Sequence, residues 1–381
     1  MKFLTFNYIG FVLLAACSQS AMESALSSGY QVAVVDSIQV DYLGNLFVMD
    51  YDPASGLYLS RNNSTEEMVL FDDAGTIKEQ FTFQKDGPEA VYSANGFLLS
   101  LIEGKIVLMD HQKGIHFFNP NGTFYKRINM PGEHFFIGGK SLPYYPLGER
   151  IAYLRPERGE IDWENPANIF KGIYSSPLIE VLDTLSGTVK QTMEFPPNTV
   201  YEDGNYYHGL FPIIVRNGNE WLLSLMAERK YHVYLENGNK LEYSRTVDLG
   251  LTDAVDIKGS PTIDLMYETN LFNIFGRFYE MYTHDGLTLV VYSKGIKEEI
   301  SMQYDPTNSE EWASLMQGIP RYLAVFDSDH QLLGKEIPLP PGIHFTPVIN
   351  HKGEFLAIKD QDFWGVEEDI VTVYKLKLSG K

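Results

Sequence analysis

From Tyr30 onward, the alternation of hydrophobic and polar residues predicts a chain of short β-strands. Residues 31–40 are an example, in which apolar side chains alternate through Val32, Val34 and Ile38, the pattern of a half-buried strand. Between such runs lie turn pairs such as Asn217-Gly218, which favour the positive φ that tight hairpins require. The pattern therefore predicts an all-β domain.

These runs recur in units of four strands, A to D, with tight turns joining A to B and C to D. The C–D half is plain in five units, in which the third strand begins near residues 67, 114, 178, 231 and 322. A sixth unit supplies three strands after residue 346, and residues 31–40 can complete it. Because such a closure leaves only short sheet edges, we predict a six-bladed β-propeller over residues 30–381. Seven blades, a β-sandwich and two all-β domains remain open as alternatives.

The first 29 residues have a different character. Lys2 is followed by a mostly apolar stretch, residues 3–16, which is shorter than the ~20 residues of a membrane-spanning helix and has the proportions of a secretory signal. Leu14-Ala15-Ala16-Cys17 resembles the lipobox of bacterial lipoproteins, in which the cysteine thiol is acylated and the chain is cut before it. We expect a signal peptide over 1–16 and a lipidated flexible tether over 17–29. The alternative is an ordinary signal peptide with a chance cysteine.

Composition and charge restrict the partners that this protein can bind, and the residues after Cys17 indicate its cellular location. Cys17 is the only cysteine of 381 residues, so the domain has no internal disulfide and depends on its hydrophobic core. The chain carries 50 acidic and 30 basic residues, a net charge of −20, which repels phosphate backbones and argues against nucleic acid as a partner. Ser18 follows the cysteine and no acidic run comes after it. By resemblance to lipoprotein sorting rules, this predicts an outer-membrane lipoprotein that faces the periplasm.

Three features together point to a family. The lipobox, the segment Val34-Val35-Asp36-Ser37-Ile38 and the joint Lys85-Asp86-Gly87-Pro88 are similar to those of six-bladed propeller lipoproteins of Bacteroidetes, a family of unknown function. The resemblance implies a TolB-like propeller. It brings no activity and no catalytic residue with it.

The long connections of the predicted propeller all fall on one face. They are B–C or D–A connections, which emerge together, and they cover residues 155–176, 196–207, 250–276, 294–320 and 359–369. Long loops on one face of a rigid scaffold commonly carry binding residues. Their aromatic rings suit a sugar or peptide surface, and the candidate ligand-binding residues are Trp163, Tyr206, Tyr207, Trp312 and Trp364. The alternative is that these rings pack the insertions onto the blades.

One insertion is predicted to contain a helix. Asn308 can cap residues 309–317, and Gly318 follows the last turn. On this helix Trp312 lies on the side expected to pack against the propeller.

Three histidines are candidate metal ligands. His134 and His344 stand in near copies of one string, Pro131-Gly132-Glu133-His134-Phe135 and Pro341-Gly342-Ile343-His344-Phe345, and His208 opens the corresponding strand of the fourth unit. If all three open innermost strands, their imidazoles would converge at the mouth of the central channel. Three histidines with an open coordination position form a catalytic type of metal site. The alternative is that each histidine hydrogen-bonds neighbouring backbone.

No standard catalytic string is present: the sequence lacks G-x-S-x-G, H-E-x-x-H, the P-loop and a strand-linked G-x-G-x-x-G. The first hypothesis is therefore a membrane-anchored, non-enzymatic binding or scaffold module for a glycan, peptide or protein. The alternative is a metal-dependent hydrolase that resembles six-bladed lactonases, with its site at the channel mouth. Those enzymes hold Ca²⁺ with acidic and Asn ligands, unlike the His-rich set here. A structural envelope protein is a third possibility.

Overall fold

The computed structural model describes residues 29–92, 99–110, 113–130, 134–135, 144–158, 170, 172–207 and 210–380. Within them, six four-stranded antiparallel sheets are arranged as the blades of a β-propeller, which confirms the predicted six-bladed fold. The seven-bladed ring, the sandwich and the two-domain arrangement are thereby excluded.

The first half of the ring comprises the N-terminal strand β1 and blades one to three. Its strands are β1 (Gln31–Val40); β2 (Phe47–Asp52), β3 (Leu57–Arg61), β4 (Met68–Phe71) and β5 (Ile77–Phe81) of blade one; β6 (Leu99–Ile102), β7 (Lys105–Asp110), β8 (Gly114–Phe118) and β9 (Phe124–Ile128) of blade two; β10 (His134–Phe135), which precedes blade three; and β11 (Tyr145–Leu147), β12 (Arg150–Leu154), β13 (Glu157–Arg158), β14 (Ile179–Asp183) and β15 (Val189–Thr192). Strands β10 and β13 form a separate two-stranded sheet beside blade three.

Blades four to six complete the ring. Their strands are β16 (Ile213–Asn217), β17 (Glu220–Ser224), β18 (Lys230–Asn237) and β19 (Lys240–Asp248); β20 (Ile274–His284), β21 (Leu287–Ile296), β22 (Tyr322–Phe326) and β23 (Leu332–Pro338); and β24 (Ile343–Ile349), β25 (Phe355–Lys359) and β26 (Val371–Ser379). The connections hold a 3₁₀ turn (Val200–Asp203) and helices α1 (Ile263–Asn270), α2 (Glu298–Ser301), α3 (Ser309–Gln317) and α4 (Gln361–Trp364). None of the helices in the described ranges is long and apolar enough to cross a membrane.

Local sequence signals account for several of these elements. Asn217-Gly218 and Asp285-Gly286 turn the first hairpins of blades four and five, as predicted, with Asp285 at a φ of 49°. Helix α3 begins after Asn308, whose side chain accepts hydrogen bonds from the backbone N–H groups of Glu310 and Glu311 at 3.2 and 3.3 Å. This is the predicted capped helix.

Blade six is closed by the N-terminal strand. Strand β1 pairs antiparallel with β26, from Gln31 opposite Ser379 to Val40 opposite Val371, with a bulge between Val34 and Asp36. The closure confirms the prediction from the missing fourth strand, and it removes the free edge at which a propeller would otherwise open.

The closure also sets the direction in which the chain enters the ring. Val40 leads into blade one on the face of the long connections, whereas Gln31 lies at the opposite end, beside Ser379. That opposite end carries the short A–B and C–D turns. Residue 29, at which the described chain begins, therefore lies at the short-turn face, opposite the long-loop face.

Tyrosines connect neighbouring blades. The hydroxyl of Tyr282 in blade five donates to the carbonyl oxygen of Thr346 in blade six at 2.6 Å, and that of Tyr145 in blade three donates to the carbonyl oxygen of Ile214 in blade four at 3.0 Å. Each ring adds apolar area to the interface between blades while its hydroxyl satisfies a backbone acceptor. The blades are thus held by packing and by specific hydrogen bonds.

A buried lysine reinforces the closure. Lys375 on β26 lies with its ammonium group 2.7 Å from Asp73 of blade one and 3.3 Å from Asp36 of β1, and its side chain is 3% exposed. Burial alone would raise the pKa of Asp73, but the ammonium groups of Lys375 and Lys352 lower it to about 2. Because this pKa is below its ordinary value, the pair stabilises the fold at neutral pH, and the contribution is lost as the pH falls toward 2.

Replacement of Lys375 by methionine should therefore destabilise the ring. It removes the charged contacts to Asp36 and Asp73, but both carboxylates remain solvated, 63% and 45% exposed, so we expect a loss of about 1.5–3 kcal/mol in the free energy of unfolding. Lys352→Met is the matched control, because Lys352 pairs with the same Asp73 at 3.2 Å but is half-exposed; we expect less than about 1 kcal/mol. Urea denaturation measures both, and equal losses would contradict the role of Lys375.

Candidate functional site

Two adjoining recesses open on the long-loop face, near the mouth of the central channel. One lies between blades five and six and has a volume of 530 Å³; the other extends toward blade one and has a volume of 720 Å³. The side chains that line both recesses are Arg277, Tyr279, Arg321, His344 and Asp360. The two recesses therefore form one elongated groove, which we call the loop-face groove.

These residues come from four segments of the chain. Arg277 and Tyr279 lie on innermost strand β20, which has a bulge between Phe278 and Glu280, and their side chains contact each other there. Arg321 immediately precedes β22, and His344 lies at the start of innermost strand β24. Asp360 follows β25 and is the N-cap residue of helix α4. Blades five and six thus supply the site together.

Two arginines lie against one tyrosine ring in the groove. The guanidinium carbons of Arg277 and Arg321 are 4.9 and 5.0 Å from the centroid of the Tyr279 ring, within the range of cation–π contacts. Arg321 also donates to the carbonyl oxygen of Ile343 at 2.7 Å. In the described part of the chain, neither arginine forms an ion pair with a carboxylate. Among the described residues, the groove therefore holds two arginines that form no ion pair with a carboxylate.

The phenol of Tyr279 responds to these charges. Burial by itself would raise the pKa of Tyr279, but the positive charges of Arg277 and Arg321 and a hydrogen bond from Ser293 outweigh it, and the pKa lies below its ordinary value. An environment that stabilises a negative charge on the phenol also stabilises an anionic ligand in the same place.

On the blade-six side, the edge of the loop-face groove, which we call its rim, is fixed by an ion pair and by hydrogen bonds. The imidazole of His344 is 3.2 Å from the carboxylate of Asp360, and that carboxylate accepts from the backbone N–H of Phe363 at 3.1 Å. The indole N–H of Trp364 donates to the carbonyl oxygen of Gly342 at 3.2 Å. Trp364 is 50% exposed, so a fixed aromatic ring borders the groove.

The aromatic residues that the sequence predicts to bind ligand differ in their exposure and in their position relative to the groove. Trp364 is exposed at the rim, and Trp312 is half-buried on α3, edge-on to Phe272 at 6.2 Å. Tyr206 and Tyr207 are buried, 7% and 4% exposed, and they pack the loop of residues 196–207 onto the blades. Trp163 lies outside the described residues. Of this set, Trp364 is the residue that borders the groove.

The three histidines are likewise not placed alike. His344 opens innermost strand β24, as expected, and pairs with Asp360. His134 does not open an innermost strand: it belongs to β10, opposite Arg158 of β13, whereas β11 is the innermost strand of blade three. That part of the prediction was wrong, because a five-residue string does not determine where a strand pairs. His208 lies outside the described residues.

The described residues contain no group of three or more His, Cys, Asp or Glu side chains arranged to hold a metal ion. Among these residues there is thus no assembled metal site of the kind that the metal-dependent hydrolase would need.

Sequence reasoning did not identify Arg277, Tyr279 and Arg321. The alternation along β20 could have indicated that the side chains of Arg277 and Tyr279 lie near each other. No local signal indicates that Arg321, which lies beyond the insertion of residues 294–320, returns to the same ring.

Comparisons with known proteins agree with the fold. Neither protein-family models nor curated proteins match this sequence. Among solved structures, a member of the duf4221 family from Bacteroides vulgatus superposes with a TM-score of 0.66 at 12% identity, over 93% of this chain and 99% of that chain. A putative exported protein from Bacteroides fragilis superposes with a TM-score of 0.55 at 12% identity, over 92% and 96% of the two chains. At such identities the likeness shows the fold alone: a six-bladed β-propeller whose Bacteroides structural neighbours have no known function.

Gly342 controls the position of the rim. It has a φ of 66°, and a Cβ there would stand 2.6 Å from the indole nitrogen of Trp364 and would also strike the ring of Phe363. Gly342→Ala should displace α4 and cost about 1–3 kcal/mol. Gly365→Ala, at a φ of 60° but with open space around it, is the control for backbone strain alone. We expect the fluorescence contributed by Trp364, measured against Trp364→Phe, to change only with Gly342→Ala. An unchanged spectrum would show that Gly342 does not hold the rim.

Proposed function

We propose that this protein is an envelope lipoprotein of the TolB-like type, anchored through Cys17, and that its loop-face groove binds a ligand that carries carboxylate groups. The observation that carries the proposal is the placement of Arg277 and Arg321 against Tyr279 in a solvent-open recess. The proposal deepens the binding-module hypothesis by naming the chemistry of the ligand.

Two arginines without carboxylate partners favour a carboxylate ligand. The planar guanidinium group presents N–H donors that match both oxygens of a carboxylate, and it stacks on aromatic faces while it does so. The chain as a whole carries a charge of −20, so its long-range field repels anions. Affinity for an anion must therefore come from contacts inside the groove.

The acidic residues of the second recess restrict the kind of anion. Asp362 and Glu367 line it on the blade-six side, together with Lys359, which forms an ion pair with Glu368. A dense polyanion would place charge against these carboxylates, whereas a ligand with spaced carboxylates would not. An oligosaccharide of uronic acids meets this requirement, and its sugar rings can pack on Trp364.

The direction of chain entry supports an anchored module. The described chain begins at the short-turn face, so a lipid on Cys17 would place that face toward the membrane. The loop-face groove would then point away from the outer membrane into the periplasm, where a large ligand can reach it.

The anchor is tested by substitution of the lipid-bearing cysteine. In a Gram-negative host, we expect the full-length chain to incorporate radiolabelled palmitate and to partition into Triton X-114, and we expect Cys17→Ser to do neither. Ser18→Ala is the control and should behave as the wild type. A labelled Cys17→Ser protein, or an unlabelled wild type, would contradict lipidation at this residue.

The groove is tested with trigalacturonate and its methyl ester, which is the same saccharide without charge. We expect calorimetric binding of the acid form, and we expect Arg277→Gln and Arg321→Gln each to weaken it by about tenfold or more, because each removes a charged hydrogen-bond donor. Arg245→Gln on outer strand β19, 45% exposed, is the control and should bind normally. Equal binding of acid and ester would refute the role of the arginines. Binding of triglutamate but not of trigalacturonate would replace the saccharide by an acidic peptide.

A further inference from the structure

A separate cavity opens at the other end of the central channel, on the short-turn face. Its volume is 640 Å³, and residues from all six innermost strands line it. Most of the wall is apolar, formed among others by Met49, Leu99, Leu101, Ile214, Met281 and Val348. A cavity of this size and lining is typical of a small-molecule site.

The carboxylate of Asp50 lies in this mostly apolar wall. The two oxygens of Asp50 accept hydrogen bonds from the backbone N–H groups of Tyr51 at 2.8 Å and of Leu101 at 2.7 Å. No lysine, arginine or histidine of the described residues forms an ion pair with it. Burial, reinforced by the nearby charge of Asp52, raises the pKa of Asp50 to about 7.

The other charged side chains of the cavity are placed differently from Asp50. Asp52 accepts from the backbone N–H of Ala54 at 3.1 Å and from the hydroxyl of Ser55 at 2.8 Å, so it belongs to the first hairpin turn. The guanidinium of Arg216 pairs with Glu236 at 3.0 Å. The hydroxyl of Tyr145 donates to a backbone carbonyl, and Glu103 lies exposed at the opening. Among the described residues, Asp50 is therefore a half-buried carboxylate of the cavity wall that has no ion-pair partner.

From this arrangement we infer that the short-turn cavity binds a ligand that joins a protonated amine to an apolar body. The ammonium group pairs with Asp50, and the apolar body packs against the methionine and aliphatic side chains of the wall. The carboxylate of Asp50 is half-buried against the apolar wall, where a charge is less well solvated than in water. A cation that reaches it therefore gains affinity that an uncharged analogue of the same shape lacks. The inference does not depend on the loop-face groove.

The experiment compares three probes of equal length: hexylammonium, hexanol and hexanoate, measured by titration calorimetry with the folded domain. We expect hexylammonium to bind at least tenfold more tightly than hexanol and hexanoate not to bind. Asp50→Asn should remove the preference for the amine and leave the binding of hexanol unchanged. Glu103→Gln removes a carboxylate from the opening of the same cavity and should keep the preference.

The pH dependence of hexylammonium binding is a second test, and it uses the wild type, so it does not require that a variant folds. Hexylammonium stays charged below pH 9, so its binding should follow the ionisation of Asp50. We expect its affinity to fall by roughly fivefold from pH 7 to pH 6, while that of hexanol stays constant. Equal affinity for amine and alcohol, an amine affinity independent of pH, or an equal effect of Glu103→Gln and Asp50→Asn would each overturn the inference.

Discussion

The hydrogen-bonded pairing of strand β1 with β26 is the constraint on which the rest of the structure depends. A propeller blade has one innermost strand and one outermost strand, and the ring is stable only when the first and last blades are locked together. Here the outermost strand of the last blade comes from the start of the domain, and Lys375 adds charged contacts to Asp36 and Asp73 across the joint. With the ring closed, the six innermost strands surround one channel with two distinct mouths.

The two mouths differ in chemistry because different parts of the blades form them. At the long-loop end, β20, β24 and the segment before β22 place two arginines around Tyr279. At the short-turn end, the hairpins of β2 and β6 enclose Asp50 in an apolar wall. Tyrosines such as Tyr282 and Tyr145 connect neighbouring blades through hydrogen bonds to backbone carbonyls. A rigid scaffold of this kind holds ligand-binding side chains in position without flexible loops.

The features that sequence could predict are those determined within a few residues. Asn217-Gly218 determines its own turn, and Asn308 determines the start of its helix, because the bonds involved are local. The closure by residues 31–40 was also predictable, since the last unit lacked one strand of a repeating pattern. The position of His134 was not, because its pairing with Arg158 rather than with an innermost neighbour depends on the whole of blade three.

Sequence reasoning predicted the long-loop face, with His344 and Trp364, but it missed the central residues of both candidate sites for the same physical reason. Tyr279 and Arg321 come together only because the insertion between β21 and β22 leads back to the channel. In the sequence Asp50 is one polar residue of a predicted strand, and only the assembled ring shows that it lines an apolar cavity without an ion pair to any described cation. Burial explains the opposite error: Tyr206 and Tyr207 had the composition of a binding loop, yet their rings stabilise the loop instead of facing solvent.

Hydrogen–deuterium exchange of the folded domain, with and without trigalacturonate, tests most directly the claim that the loop-face groove is the binding site. The account predicts slower exchange in peptides that contain residues 277–279, 318–322 and 342–345, and no change in peptides that contain residues 50–56 and 101–104 of the opposite mouth. Protection confined to the short-turn mouth, or no protection at either mouth at saturating ligand, would contradict it.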